Sequence, residues 1–173
     1  MTIEVEDGTG KADAVSYASA AHADAYHTLR GNTAWTALTT EVKEAYLVQA
    51  TDYAEQRWGL RYPGVRSVEG QALSWPRDEA TDREGGAILD DVVPVGIVNA
   101  ICEYALARVS GVLSPTPTNV NSGLVKRTRN KVGELETETE YVDGGSVKTY
   151  PSYPAADALM ARYTRSASNA VSR

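Results

Sequence analysis

The chain has 173 residues, of which 42% are hydrophobic and 23% charged, and it carries a formal net charge of −6 at pH 7. This length is enough for one domain with a buried core, with or without arms. The acidic balance excludes a protein that is basic throughout and wraps nucleic acid with its whole surface, so a basic face would have to be local. Neither an 18-residue apolar run nor a secretory signal pattern occurs, so we expect no membrane span and a protein made and used on the cytoplasmic side or in something assembled there.

The chain begins with a strand-like alternation, followed by a helix. Residues 2–6 alternate in polarity and are closed by the turn signal Asp7-Gly8, which predicts a short strand that pairs within the chain or with a neighbouring subunit. A helix is predicted over 19–30, with Ser16 or Ser19 as its cap and Gly31 at its end. Its predicted apolar face consists of Ala20, Ala21, Ala25, Thr28 and Leu29.

A longer amphipathic helix is predicted over 40–58, with Gly59 as its stop. Residues at helical spacing form one stripe, and three larger or apolar residues widen it. The stripe is Val42, Ala45, Tyr46, Gln49, Ala50, Tyr53 and Arg57, and the flanking residues are Leu47, Ala54 and Trp58.

The third helix is predicted over about 91–110. Asp90 or Asp91 would cap it, Pro94 would lie in its first turn, and Gly111 follows its end. It is apolar on most sides, which is typical of a helix surrounded by others. It also contains the only cysteine, Cys102, which we expect to be a buried thiol and which excludes an intrachain disulfide.

A hairpin of opposite charges is predicted at about 124–142, after a Pro/Ser/Asn-rich loop at 114–123. Its first strand carries Lys126, Arg127, Arg129 and Lys131, and its second carries Glu134, Glu136, Glu138 and Glu140. With Val132-Gly133 as a two-residue turn, the facing pairs would be Lys131–Glu134, Arg129–Glu136 and Arg127–Glu138. Each such pair contributes a few tenths to ~1 kcal/mol. The charged face has little apolar surface, so we expect the hairpin to project from the body.

The last part of the chain contains a turn signal, a short helix and a polar tail. The turn is Asp143-Gly144-Gly145-Ser146, the helix is predicted over 155–164, and the tail 166–173 is expected to order only on binding. The predicted fold is mainly α: a small helical bundle around the central helix, a projecting β-hairpin, and extended N- and C-terminal arms. The predicted divisions are an arm at 1–15, the bundle at 16–113, the loop and hairpin at 114–150, and the C-terminal helix and tail at 151–173.

The sequence contains no recognisable catalytic or metal-binding motif. His22 and His27 are five residues apart, which places them roughly 140° apart on a helix rather than on one ligating face, and we expect a surface or interface histidine. The acidic loop at 78–91 does not have the spacing of a calcium loop. We therefore expect a protein that is not an enzyme and that uses no metal or other cofactor.

One segment has a signal for phosphate binding, the basic run KRTRNK at 126–131. Its Lys126, Arg127, Arg129 and Lys131 could meet nucleic acid, but no aromatic residue interleaves with them to stack on bases. The neighbouring glutamates would repel phosphate unless they face away. The pattern favours a charge-paired hairpin, and nucleic-acid binding is the alternative.

The segment Leu73, Trp75, Pro76 and Arg77 is unusual for a connection between two helices. Leu73 and Trp75 would point the same way in an extended chain. We expect Arg77 to pair with a carboxylate, with Asp24, Asp52 and Glu103 as candidates. Two interpretations remain open: the segment closes the core of the subunit, or it is an anchor between subunits, because Trp and Arg are enriched at interface hot spots.

Several stretches together resemble one family of tailed-bacteriophage proteins. They are EDGTGKADAVSY at 6–17, SYASAAHADAYHTLRGNTAW at 16–35, QALSWPRD at 71–78 and VPVGIVNAICEYAL at 93–106. Members are often described as single-stranded-DNA-binding proteins of the primosomal type, and by fold and gene context they are similar to head–tail connector adaptors. The resemblance covers most of residues 3–110, whereas the hairpin and the tail match loosely.

The resemblance implies a structural virion protein of the neck, assembled in the host cytoplasm. About twelve copies would form a ring beneath the portal protein, extend the DNA channel without sequence-specific binding, and offer a platform to a stopper or tail-completion protein. A C-terminal segment, here 155–173, would dock on the portal. The alternative is an accessory protein that binds single-stranded DNA through 126–131. The interface candidates are Leu73, Trp75, Arg77, Arg127, Arg129, Lys131, Glu134, Glu136, Glu138, Leu159, Met160 and Tyr163.

Overall fold

The computed structural model describes residues 2–114, 125–131, 136–141 and 151–165. The chain divides into two compact units, one made of Met1–Leu113 and Ser152–Arg173, the other of Ser114–Pro151. The described part of the first unit is built mainly from helices, and that of the second is an antiparallel pair of strands. The predicted class, mainly α with a β-hairpin, is confirmed.

The elements of the helical unit follow one another through short connections. Its helices are α1 Ala20–Thr28, α2 Thr33–Thr36, α3 Thr40–Trp58, α4 Val95–Ser110 and α5 Pro154–Ala161, with a 3₁₀ turn at Gly59–Arg61 after α3. Two short strands, β1 Val65–Arg66 and β2 Arg77–Asp78, pair antiparallel between α3 and α4. None of the helices in the described residues is both long and apolar enough to cross a membrane.

Helix α4 is the centre of the helical unit, as its composition predicts. It packs against α1, α2, α3 and α5, and Ile97, Ile101 and Tyr104 are fully buried along it. The predicted start near Asp91 is wrong, because Pro94 occupies the N-cap position and the helix begins at Val95. The residue before a proline is disfavoured in the α conformation, so a helix that began at Asp91 would be interrupted at Val93.

The predicted apolar face of α1 is wrong. Leu29, assigned to that face, is 86% exposed, while Tyr26 and His27 are buried. Their rings pack against each other, and His27 also packs against Trp35 of α2 at 4.8 Å between centroids. Large aromatic surface outweighs the small alanines in deciding which face turns inward. The predicted cap is confirmed at Ser19, whose Oγ accepts from the His22 N–H.

Helix α3 has the predicted bounds but a shifted buried face. Ala45 and Gln49 of the predicted stripe are exposed, and Leu47, Ala54 and Trp58 of the flank are buried. The packing centre therefore lies on the larger side chains of the flank, because they remove more apolar area from water. Thr51 is also fully buried, since its hydroxyl donates to the Leu47 carbonyl within the helix.

The N-terminal segment is packed into the helical unit and is not an arm. Glu6 and Ala14 are each 3% exposed, and Tyr17 is 2% exposed. In place of the predicted strand there is a single parallel bridge between Val5 and Ser16. The segment therefore pairs within the chain, with the Glu6 N–H donating to the Ser16 carbonyl at 2.9 Å.

The hairpin unit contains β3 Val125–Lys131 and β4 Glu136–Tyr141. The predicted opposite-charge pairing is present, but its register is shifted by two residues on the acidic strand. The partners are Arg127–Glu140, Arg129–Glu138 and Lys131–Glu136, and the register is irregular between Val125 and Arg127. The predicted turns at Val132-Gly133 and 143–146, Glu134, and most of the loop at 114–123 lie outside the described residues.

Helix α5 confirms the predicted C-terminal helix and is part of the bundle. Met160 is fully buried against α4, and the segment after the helix continues along the unit, with the Arg165 N–H donating to the Arg61 carbonyl at 2.8 Å. Of the predicted docking segment 155–173, residues 155–165 thus pack on their own chain. The tail 166–173 lies outside the described residues.

Candidate functional site

Strand β3 is the candidate for binding an anionic partner. Four of its seven residues are basic, and three of these have a glutamate as register partner on β4. Lys126 lies at the irregular step of the register and has no register partner among the described residues of β4. Three glutamates of β4 are thus the register partners of three of the four basic residues of β3. The charge of the two paired strands is therefore nearly balanced.

The Trp-Pro-Arg segment closes the core of the helical unit. Trp75 is fully buried, Leu73 is 8% exposed, and the Trp75–Pro76 peptide bond is cis. The Trp75 N–H donates to the Tyr17 hydroxyl at 3.1 Å, and the Tyr62 ring packs edge-on against the indole at 5.7 Å. The burial of Leu73 and Trp75 favours the first interpretation, in which the segment closes the core of the subunit. Neither side chain is exposed to a second subunit.

Arg77 does not pair with Asp24, Asp52 or Glu103, so that prediction is wrong. Its guanidinium donates to three backbone carbonyls: those of Pro63 at 2.6 Å, Gly64 at 2.8 Å and Ser74 at 3.0 Å. An arginine can satisfy several carbonyls at once because its donors form a planar fork. The residue therefore ties the segment before β1 to the end of the connection between β1 and β2. Burial lowers its pKa, but the group remains a cation.

A polar network that the sequence did not suggest fastens α5 to the bundle. The Asp157 carboxylate pairs with Arg57 at 2.8 Å and accepts from the Tyr104 hydroxyl at 2.7 Å. The Tyr104 hydroxyl in turn accepts from the Trp58 indole N–H at 2.9 Å. Burial, followed by the hydrogen bond to Asp157, raises the pKa of Tyr104 far above its usual value, so it stays a donor.

Three tyrosine rings surround this network and explain part of the tyrosine-rich composition. Tyr53, Tyr104 and Tyr153 pack edge to face on one another, with centroids 5.0, 5.6 and 5.8 Å apart. Edge-to-face aromatic pairs add stability beyond the area they bury. The hydroxyl groups provide donors and acceptors that phenylalanine lacks, so tyrosine serves both the packing and the polar network.

The two histidines and the cysteine contact other parts of the helical unit or are buried in it. The buried His27 donates from Nε2 to the Cys102 carbonyl and accepts at Nδ1 from the Asn32 amide, because a carbonyl oxygen only accepts and an amide nitrogen only donates. His27 is thus a core residue, contrary to the expectation of a surface histidine. His22 contacts Asn99 at 3.0 Å. Burial raises the pKa of Cys102 to about 12, so its thiol is not an activated nucleophile. No group of three metal-ligating side chains converges in the described parts of the chain.

The remaining interface candidates lie in different environments. Leu159 and Tyr163 are partly buried and pack against the core, and Met160 is fully buried. Tyr163 lies over Gly96, where a side chain would come within 2.5 Å of the tyrosine ring. The C-terminal candidates therefore contribute to the packing of α5 and the following residues on α4. The hairpin candidates lie in the second unit.

Comparison with known proteins gives one match that spans the chain. The family model described as "Putative DnaT-like ssDNA binding protein" matches residues 1–173. The chain belongs to this family. The resemblance seen in the sequence is confirmed at this level, and the match extends through the hairpin to the C-terminus. Neither the curated proteins nor the solved structures contain a match.

Proposed function

We propose that the protein is a non-enzymatic accessory protein that binds single-stranded DNA. The observation that carries this proposal is the match of the DnaT-like family over the whole chain. The basic residues of β3 support it, because clustered lysine and arginine contact phosphates without regard to sequence. It also fits the engagement of His27 and Cys102 in the core, which leaves neither available for chemistry at a surface.

The residues proposed to contact phosphate are Lys126, Arg127, Arg129 and Lys131. Three of them lie opposite glutamates in the hairpin register, so their positive potential is reduced where the two strands pair. Lys126 has no glutamate as its register partner and is therefore expected to contribute most per residue. The absence of aromatic residues from β3 favours phosphate contacts over base stacking.

The test is a titration of a fluorescent thymidine oligonucleotide at several salt concentrations. Single-strand affinity falls with salt by roughly 0.7 logarithmic units per phosphate contact, so replacing all four basic residues of β3 with Gln should lower the slope by about 3. Replacing Glu136, Glu138 and Glu140 with Gln is the matched variant and should raise affinity. A wild-type protein that does not bind at low salt would contradict the proposal.

A second candidate function is supported by the hairpin register and by the connector resemblance. A strand of alternating basic residues next to a strand of alternating glutamates could pair with the hairpin of a neighbouring copy, and a closed ring uses such head-to-tail contacts. We propose this head-to-tail adaptor, a ring of about twelve copies between the portal and the next neck protein in the virion, as the alternative.

The mass of the purified protein, alone and with its portal, distinguishes the two functions. The adaptor predicts that the purified protein joins its portal as a ring and that wild-type binding to the oligonucleotide is weak. Charge reversal at Arg129 and Glu138 separately should each prevent ring formation, and the double exchange R129E/E138R should restore it. A protein that binds the oligonucleotide tightly and never associates with the portal would exclude the adaptor.

A further inference from the structure

A second concentration of positive charge lies on the helical unit, where the segment after α5 meets two others. The Arg165 N–H donates to the Arg61 carbonyl at 2.8 Å, and the Arg83 N–H donates to the Arg162 carbonyl at 2.9 Å. These hydrogen bonds bring together residues far apart in sequence. We call Arg61, Arg83, Arg162 and Arg165 the arginine surface.

Most of this charge is not neutralised within the described part of the chain. Arg162 pairs with Asp82 at 3.0 Å and with Glu84 at 3.4 Å. Arg83 and Arg165 are exposed and form no ion pair with another described residue. Arg61, Arg83 and Arg165 thus form no ion pair among the described residues, and the cluster has four arginines against the two carboxylates of Asp82 and Glu84, on a protein whose net charge is −6.

Arg61 is held in place by packing. Its guanidinium carbon lies 4.9 Å from the centre of the Trp58 ring, a cation–π contact that orients the group without neutralising it. Its Nε is buried and has no hydrogen-bond partner among the described residues. An arginine fixed on an aromatic ring loses less conformational freedom on binding, which favours its use as a phosphate contact.

The side chains of Arg83 and Arg165 form no hydrogen bond or ion pair with another residue that the structure describes. Other arginines of the unit have structural partners: Arg57 pairs with Asp157, and Arg77 donates to three carbonyls. Cations placed close together repel one another unless an anion lies between them. Exposed arginines from separate chain segments are suited to a ligand with repeated negative charges, because each guanidinium can contact a different phosphate.

We propose that the arginine surface binds the phosphate backbone of single-stranded DNA, as a site distinct from β3. This inference rests on the proposed DNA-binding function and places much of the affinity on the helical unit. The basic residues of β3 would supply the other phosphate contacts, with a positive potential reduced where glutamates oppose three of them.

The experiment compares two double variants of the full-length protein that lose the same charge. R83Q/R165Q removes the two arginines of the surface that are exposed and lack carboxylate partners among the described residues. R30Q/R108Q removes two other arginines that also lack such partners but contact Tyr26 and Gln49 instead. Binding of a fluorescent thymidine oligonucleotide is measured across a salt series, and circular-dichroism melting confirms that each variant is folded. R83K/R165K tests whether charge alone suffices.

Loss of two single-strand phosphate contacts should lower the salt slope by about 1.4 and the affinity by roughly 25-fold at about 0.1 M salt. We expect this change in R83Q/R165Q, little change in R30Q/R108Q, and partial retention in R83K/R165K. If the wild type binds and R83Q/R165Q binds equally well, or if both Gln variants lose the same affinity, the arginine surface is excluded while the proposed function stands. If the wild type does not bind, both are overturned.

Discussion

At the scale of single residues, Glu6 organises the N-terminal loop. Its Oε1 accepts from the N–H groups of Gly8 and Gly10, both at 2.9 Å, and its Oε2 accepts from the N–H of Lys11 at 2.8 Å. Gly8 has a φ of 104°, and a side chain there would come within 2.0 Å of the Asp91 carbonyl oxygen. The carboxylate and the glycine thus together allow the loop to pack against the start of the α4 region.

We predict that Glu6→Gln destabilises the protein by about 1–3 kcal/mol, because the amide nitrogen cannot accept and leaves a backbone donor of the loop unsatisfied. Chemical denaturation measures the free energy of unfolding. Glu4→Gln is the matched control, since Glu4 is exposed and its carboxylate pairs only with Lys11 among the residues that the structure describes. Equal effects of the two substitutions would contradict this role of Glu6.

His27 makes stability depend on pH. Burial lowers its pKa below the usual 6.5, although the hydrogen bond to the Cys102 carbonyl opposes this shift. The folded protein therefore binds the proton less tightly than the unfolded chain. The stabilising contribution is complete above about pH 6.5 and is lost as the pH falls from there through the folded-state pKa.

We expect the free energy of unfolding of the wild type to fall between about pH 7 and pH 5, and this part of the decrease to be absent in His27→Gln. Denaturant titrations at a series of pH values measure it. His22→Gln, which changes an exposed histidine, should retain the wild-type dependence. A His27→Gln profile parallel to that of the wild type would show that other groups cause the decrease.

At the scale of elements, α5 depends on a single carboxylate for its polar attachment to α3 and α4. Asp157 contacts Arg57 and Tyr104 and also accepts from the Tyr153 N–H at 3.1 Å, at the start of its own helix. The same residue therefore stabilises the helix terminus and the tertiary contact. An apolar face alone would allow α5 to slide along α4, whereas these directional bonds define one position.

Asp157→Asn should lower the free energy of unfolding by about 2–3 kcal/mol, because it removes a charge-assisted bond to Arg57 and an acceptor of the Tyr104 hydroxyl. Hydrogen exchange should show faster exchange of the α5 amides before the rest of the bundle. Asp90→Asn, at an exposed loop position, provides the control. Unchanged protection of α5 in the Asp157 variant would exclude this role.

At the scale of the whole molecule, the helical unit is continuous in space although the chain leaves it for the hairpin. The Tyr153 hydroxyl donates to the Leu113 carbonyl at 2.9 Å, so the points where the chain departs and returns are close together. The buried hydrophobic core that is described consists of residues up to Leu113 and from Ala156 onward. The hairpin unit is thus an insertion into the bundle.

We predict that replacing residues 115–150 with a short Gly-Ser linker leaves the helical unit folded, because its core keeps the described residues that form it and its ends already meet. Circular dichroism should retain the helical signal, and thermal unfolding should remain a single cooperative transition. A variant of the full-length chain with Tyr153→Phe tests the closing hydrogen bond separately. Loss of cooperative unfolding in the shortened protein would show that the hairpin is part of the folding unit.

The sequence by itself determined helices α1, α3, α4 and α5, the central position of α4 and the presence of a charge-paired hairpin, but not the short helix α2. These properties follow from local periodicity, from Gly and Pro signals and from the alternation of charge, all of which act over a few residues. The same patterns placed the faces of α1 and α3 wrongly. Periodicity shows that a helix has an apolar side, but the volume of partner side chains decides which residues of that side become buried.

Only the tertiary structure decided the partners of Arg77, Asp157 and His27. It alone also brings the residues of the arginine surface together. Asp157 lies 100 residues from Arg57, and Arg165 reaches Arg61 only because α5 packs on α4. A charged side chain takes whichever partner the fold brings within hydrogen-bond distance, and the sequence contains no local signal for such pairs. The sequence also did not determine the hairpin register. A shift of two residues preserves the alternation of charge, so each facing pair still consists of opposite charges.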